Sequence, residues 1–207
     1  MGSKEISSYI EGFNRFKSEW FQKSQNNGED IFSKQSPKTL IIACSDSRVD
    51  PAILFGTDPG DIFVIRNVAN LVPPFVKDTS FHGISAAIEY SVQTLNVRDI
   101  IVLGHSRCGG IHALISPHSS GEFLPSWLSI ASGALLRVKI EEYDSEEELV
   151  RACEKEAVLI SLGNLLTFPW INERIAKSEL AVHGWYFDLE HGKLEGWQPK
   201  EKKFLEI

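Results

Sequence analysis

Three short runs of apolar residues stand out in the first half of the chain: "TLIIA" (39–43), "IFVI" (62–65) and "DIIVLG" (99–104). Apolar runs without alternation are typical of strands that are buried on both faces, as in parallel sheets. Between the second and third runs, "GISAAIEYSVQTLN" (83–96) predicts a helix. The order of strand, helix and strand predicts an α/β fold, with a central and mainly parallel β-sheet flanked by helices.

The two ends of the chain carry other patterns. Apolar residues from Ile6 to Phe21 recur at helical spacing and predict an amphipathic N-terminal helix, which "NNGED" then interrupts. The segment 145–176 predicts helix, with an interruption at 168–170. A C-terminal strand hairpin is predicted in "ELAVHGWYFDLEHGKLEGW", turning at 191–193. We expect one domain over residues 1–207, with an N-terminal helical arm at about 1–28.

Composition and charge narrow the class of protein. The chain has 207 residues, of which 43% are hydrophobic and 24% charged, and its net charge is −7. It contains no basic run and no apolar stretch of about 18 residues, so we expect neither nucleic acid nor a membrane as partner. Its start lacks the basic and apolar regions of a signal peptide. We therefore expect a cytoplasmic protein, or an organellar one if a transit peptide has been removed.

Cysteine and histidine residues follow two of the predicted strands. Cys44 opens the motif "CSDSR" after the first strand, and "GHSRC" after the third contains His105 and Cys108. Functional groups gather at the carboxyl ends of the strands in open parallel sheets. Two cysteines and one histidine suit a catalytic zinc site, which takes three protein ligands and keeps one position open. Cys153 lies in a helical pattern, where we expect a core residue.

The motif "CSDSR" also places Asp46 and Arg48 two and four residues after Cys44. A carboxylate and a guanidinium at this spacing can form a bidentate pair. An ordinary surface salt bridge is the alternative. An acid two residues from a candidate ligand can, however, reach the open position of a metal.

Taken together, these motifs resemble those of the β-class carbonic anhydrases, in their plant-like branch. The family patterns C-x-D-x-R and H-x-x-C stand here as Cys44 to Arg48 and His105 to Cys108. The stretches "RNVANLVPP", "AAIEY" and "HGWYFDLEHGKL" resemble the family as well, so the likeness covers roughly residues 35–197.

The resemblance implies one Zn²⁺ per subunit, held by Cys44, His105 and Cys108, and a catalytic dyad of Asp46 and Arg48. It assigns substrate-binding roles to four further residues: Gln35, Phe63, Val68 and Tyr90. In the family the pocket lies at a dimer interface, so we expect a homodimer or a higher even-numbered homo-oligomer.

The implied function is zinc-dependent, reversible hydration of CO2 to bicarbonate and a proton by zinc-bound hydroxide, which the Asp–Arg dyad orients. Two thiolates reduce the residual charge of the metal, so we expect an activity favoured by mildly alkaline pH. Two alternatives stay open. One is a COS or CS2 hydrolase on the same scaffold. The other is a non-catalytic, zinc-stabilised assembly module, for which Asp46 is the candidate fourth ligand.

Overall fold

A computed structural model of the protein describes residues 4–21, 32–116, 121–138 and 143–207. The chain divides into two compact units at Ser36 and Pro37. The N-terminal unit contains helix α1 (Lys4–Phe16), which continues into a π-helical turn over Lys17–Phe21. This confirms the predicted N-terminal helix. The predicted interruption in "NNGED" lies outside the described residues.

The second unit is built on a sheet of six strands in the order β2-β1-β3-β4-β5-β6. The strands are β1 (Thr39–Cys44), β2 (Ile62–Asn67), β3 (Asp99–His105), β4 (Ala181–Asp188), β5 (Lys193–Gln198) and β6 (Lys203–Glu206). The β2–β1, β1–β3 and β3–β4 pairs are parallel, whereas the β4–β5 and β5–β6 pairs are antiparallel. The predicted α/β fold with a mainly parallel sheet is confirmed.

The helices that connect the strands along the chain pack against the sheet. They are α2 (Pro51–Phe55), α3 (Gly83–Glu89, extended by a π-helical turn over Tyr90–Thr94), α4 (Gly109–Ile115), α5 (Leu124–Leu128), α6 (Gly133–Arg137), α7 (Glu146–Leu165) and α8 (Pro169–Ala176). The predicted interruption of the segment 145–176 falls between α7 and α8. Pro169 takes the first position of α8, where its missing N–H costs nothing and its fixed φ suits a helix.

The C-terminal hairpin is confirmed, and the structure adds a strand to it. Asp188 of β4 pairs with Lys193 of β5, and Gly192 adopts a left-handed φ of 65° in the connecting loop. Strand β6 was not predicted. It has four residues with a charge at each end, and so short a segment shows too little alternation of apolar and polar residues to tell a strand from a loop.

The central strands are buried on both faces, as the continuous apolar runs predict. Leu40 and Ile42 of β1 pack on one face with residues of α3, α7 and α8. Ile41 and Ala43 pack on the other face against α2 and against aromatic residues of β4. Both sets are almost fully buried, so the middle of this strand is apolar on both faces.

Helix α7 approaches the sheet closely at two glycines. A Cβ atom on Gly104 of β3 would lie 2.5 Å from Val158 of α7, and one on Gly184 of β4 would lie 2.7 Å from Leu162. Real Cβ contacts do not become this short, so any side chain at either position would push the helix away. The two glycines therefore allow the middle of α7 to lie beside the end of β3.

We predict that Gly104→Ala lowers the free energy of unfolding by about 1–3 kcal/mol, because the new methyl group overpacks the contact between α7 and the sheet. The matched control is Gly163→Ala in α7, where a Cβ would meet no atom within 4 Å. This control should leave stability unchanged or raise it by up to about 1 kcal/mol. Urea unfolding of both variants measures the difference, and equal midpoints would contradict the close packing.

Candidate metal centre

The parallel register of β1 and β3 brings the two cysteine- and histidine-containing motifs together. Ala43 of β1 lies opposite Leu103 of β3, so Cys44 and His105 follow at adjacent strand ends. Cys108 then stands at the N-cap of α4, after a turn in which Arg107 adopts a left-handed φ of 58°. A left-handed φ is sterically unfavourable for a residue other than glycine. The turn therefore depends on surrounding contacts that stabilise this conformation.

The three side chains converge on one point. The ligand atoms of Cys44, His105 and Cys108 all lie within 4.8 Å of one another, and all three residues are buried. The Sγ atoms of the two cysteines are 3.9 Å apart. Two thiolates on a tetrahedral zinc, with Zn–S bonds of about 2.3 Å, would be about 3.8 Å apart. The spacing of the sulfur atoms therefore fits zinc.

The imidazole of His105 is oriented as a ligand. Its Nδ1 lies 2.9 Å from the carbonyl oxygen of Ser106, to which it donates, so in the neutral ring the lone pair belongs to Nε2. This Nε2 is buried and has no hydrogen-bond partner among the described residues. A buried nitrogen without a partner is costly unless something outside the chain satisfies it. A metal ion between Nε2 and the two sulfur atoms would do so.

The contact between the two thiols shifts their pKa values in opposite directions. The hydrogen bond with Cys108 holds the pKa of Cys44 well below its ordinary value, although burial acts in the other direction. The same bond, followed by burial, raises the pKa of Cys108. The amide of Ala69 donates to Cys44 Sγ at 3.4 Å and further stabilises negative charge there. These contacts favour negative charge on the sulfur of Cys44, which suits a site for a cation.

Asp46 and Arg48 form the bidentate pair that their spacing predicts. Arg48 donates from Nε to Asp46 Oδ1 at 2.9 Å and from a terminal nitrogen to Oδ2 at 2.7 Å. The backbone N–H of Arg48 also donates to Oδ1. These bonds hold the pKa of Asp46 far below its ordinary range, against the opposing effect of burial. Both oxygens of Asp46 are therefore engaged with Arg48, and the carboxylate is ionised.

Arg66 is a structural element of the site that the sequence reasoning missed. It donates to the carbonyl oxygens of Cys44 at 2.9 Å and Asp46 at 2.6 Å, and it pairs with Asp50 at 2.7 Å. One guanidinium thus fixes the backbone that presents both a candidate ligand and the carboxylate. A charged residue directly after the apolar run "IFVI" was the available signal.

The four residues assigned to substrate binding are placed as follows. Phe63 and Tyr90 contact each other, with ring centroids 6.0 Å apart. Val68 is partly exposed, and its carbonyl oxygen accepts a hydrogen bond from Trp127 Nε1 at 2.8 Å. Gln35 belongs to the N-terminal unit and is exposed. Their roles in substrate binding stay predictions.

Other candidate ligands lie outside this group. Cys153 is fully buried in the core, as predicted, and burial raises its pKa to about 11. A second cluster of possible ligands consists of Asp188, Glu190 and His191. Arg151 already bonds to Asp188 at 3.5 Å and Glu190 at 3.1 Å, so a cation is present there without a metal.

Comparison with known proteins identifies the family. Residues 39–194 match the carbonic anhydrase family, and the chain belongs to it. It is 39% identical over 193 residues to "Beta carbonic anhydrase 3" of Arabidopsis thaliana, a match that covers 90% of this chain and 74% of that protein. The chain is therefore a member of the β-carbonic anhydrases, which are zinc-dependent lyases.

Solved structures of the same class share the fold. The β-carbonic anhydrase CcaA is 32% identical and superimposes with a TM-score of 0.87, over 100% of this chain and 93% of that one. Tetrameric β-carbonic anhydrases from Sordaria macrospora give 31% identity and a TM-score of 0.79, over 92% of this chain and 96% of theirs.

We predict that the purified protein binds one zinc ion per chain and that Cys44→Ser and Cys108→Ser each lose it. Cys153→Ser is the matched control and should keep full zinc content, because its sulfur lies in the core. Affinity should fall as pH decreases, since protons compete with zinc for the thiolates and the imidazole. Metal analysis and chelator titrations between pH 6 and 8 measure both effects. Zinc retained by the two ligand variants would contradict the assignment.

Proposed function

We propose that this chain catalyses the reversible hydration of CO2 to bicarbonate and a proton, with one zinc ion held by Cys44, His105 and Cys108. Membership of the β-carbonic anhydrase family supports the reaction. The observation that carries the proposal is the convergence of ligand atoms from three buried residues beside an ionised carboxylate. One of these atoms is an imidazole nitrogen that has no hydrogen-bond partner in the described part of the chain. A zinc ion bound there would lower the pKa of a water molecule and so supply the nucleophile.

Asp46 and Arg48 supply orientation in this proposal. An ionised Asp46 can accept a hydrogen bond from the attacking water and direct the water's lone pair toward the carbon of CO2. Arg48 keeps the carboxylate ionised and occupies both of its oxygens. The same clamp keeps Asp46 from filling the open metal position, because a carboxylate with two charge-assisted bonds gains little by leaving them.

Substrate would be held by the pocket residues. The contact between Phe63 and Tyr90 provides an apolar surface that suits a nonpolar molecule such as CO2. The family resemblance assigns Gln35 a hydrogen bond to an oxygen of CO2 or bicarbonate, and it assigns Val68 an apolar contact with the substrate.

We expect the active form to be a homo-oligomer, at least a dimer. Tetrameric assembly among the related structures supports this expectation. Helix α1 has no buried residue, although its exposed side chains include Tyr9, Ile10 and Phe13.

In the described residues no helix is long and apolar enough to cross a bilayer. A cytoplasmic location stays a prediction.

The two alternatives differ from this proposal in measurable ways. A COS or CS2 hydrolase would use the same ligands and differ in substrate preference. A non-catalytic assembly module needs a closed site with Asp46 as fourth ligand. The bidentate pairing of Asp46 with Arg48 favours an open site over that closed one.

We predict that Asp46→Asn lowers kcat/KM for CO2 hydration by about 10²-fold or more at unchanged zinc content, because an amide cannot orient the nucleophile as a carboxylate does. Asp61→Asn is the control, since Asp61 accepts the amide of Asp58 in an exposed turn. Stopped-flow hydration with a pH indicator measures both variants. Near-normal turnover of a zinc-loaded Asp46→Asn protein would contradict the proposed role of Asp46 in orienting the nucleophile.

We further predict that hydration of CO2 rises from pH 6.5 to 9, because two thiolate ligands leave the metal less able to acidify water than three neutral imidazoles do. Turnover of COS, assayed on the same zinc-loaded sample, should be slower than that of CO2. A rate that stays flat across this range, or faster turnover of COS than of CO2, would favour the alternatives.

A further inference from the structure

A buried carboxylate lies directly behind the metal-ligand turn. Glu154, near the middle of α7, is only 2% exposed. It shares the buried face of the helix with apolar residues such as Val150 and Val158. Burying a carboxylate is unfavourable unless hydrogen bonds replace those it made with water. The carboxylate of Glu154 therefore needs hydrogen-bond partners within the protein that offset the loss of water.

Both oxygens of Glu154 have such partners. Oε1 accepts the backbone N–H of Cys108 at 2.7 Å, and Oε2 accepts the hydroxyl of Tyr186 at 2.7 Å. Tyr186 lies on β4 and is fully buried. The tyrosine thus fixes the carboxylate, and the carboxylate in turn reaches the amide of a candidate zinc ligand.

The peptide group that joins Arg107 to Cys108 is held from both sides. Its N–H donates to Glu154, and its carbonyl oxygen accepts a bond from Arg48 at 3.1 Å. Arg107 itself has a left-handed φ of 58°, so this peptide plane is not set by ordinary backbone preference. The two side chains determine the plane, and the plane determines where the Cβ and Sγ of Cys108 point.

We propose that Glu154 is a positioning residue for the metal centre, which orients Cys108 through its backbone amide. The inference rests on the proposed zinc site and extends it to a residue that contacts neither metal nor substrate. Outer partners that orient a metal ligand typically contribute 10–100-fold in metal affinity. Because α7 packs closely on the sheet at Gly104 and Gly184, the side chain of Glu154 is near enough to accept the amide of Cys108.

Two conservative variants separate position from charge. Glu154→Gln keeps the length and one acceptor oxygen for the amide of Cys108 but removes the charge. Glu154→Asp keeps the charge but is one methylene shorter, so its oxygen withdraws from the amide. We expect Glu154→Gln to bind zinc within about 3-fold of the parent protein and Glu154→Asp to bind it at least 10-fold more weakly.

The matched control is Glu156→Gln, two residues along the same helix, whose carboxylate pairs with Arg137 at 3.6 Å. It should leave zinc affinity unchanged. Zinc dissociation constants come from chelator competition at one pH, after circular dichroism has shown that each metal-free variant is folded. The cobalt-substituted proteins give a second readout. The sulfur-to-cobalt absorption should shift in Glu154→Asp and stay as in the parent protein in Glu154→Gln.

The outcomes distinguish this proposal from the proposed function. If the parent protein itself binds no zinc, the proposed function fails and this inference fails with it. If the parent protein binds zinc and both variants match it in affinity and cobalt spectrum, the positioning role alone is overturned. Weaker binding by Glu154→Gln than by Glu154→Asp would also overturn it, because charge rather than reach would then matter.

Discussion

The candidate site depends on the parallel pairing of β1 with β3. This pairing places the ends of the two strands side by side, so Cys44 and His105, which are 61 positions apart in the sequence, become neighbours. The third ligand needs only a short turn to return Cys108 to the same point. An antiparallel arrangement would have placed one motif at each end of the sheet. The chemistry of the site is therefore a consequence of strand direction.

Around this core, the backbone of the site is held mainly by ionised side chains. Arg66 fixes the carbonyl oxygens of Cys44 and Asp46, and Arg48 bridges the Asp46 carboxylate and the Arg107 carbonyl. A guanidinium suits this task because its donors are rigid and it stays charged at any physiological pH. Arg48 consequently links the two motifs, so that the orientation of the Asp46 carboxylate and that of the Cys108 turn depend on the same side chain.

Features that depend on a local pattern of residues could be predicted from the sequence. Continuous apolar runs predicted β1, β2 and β3, and the two motifs predicted a cluster of Cys44, His105 and Cys108. The short strand β6 was missed because four residues carry too little periodicity. Glu154 was missed although a signal existed, since a glutamate stands four residues from Val150 and Val158 on a helix face that is otherwise apolar or small. Its partner amide is 46 positions away, and only the packed structure reveals that contact.

The central claim is that two thiolates and one imidazole hold zinc with one position left open. X-ray absorption at the zinc edge on the purified protein tests it most directly. The account predicts two sulfur atoms at about 2.3 Å and two lighter atoms at about 2.0–2.1 Å, with a spectrum that changes when an anion such as azide is added. A shell with no sulfur or only one, or one that added anions leave unchanged, would contradict it.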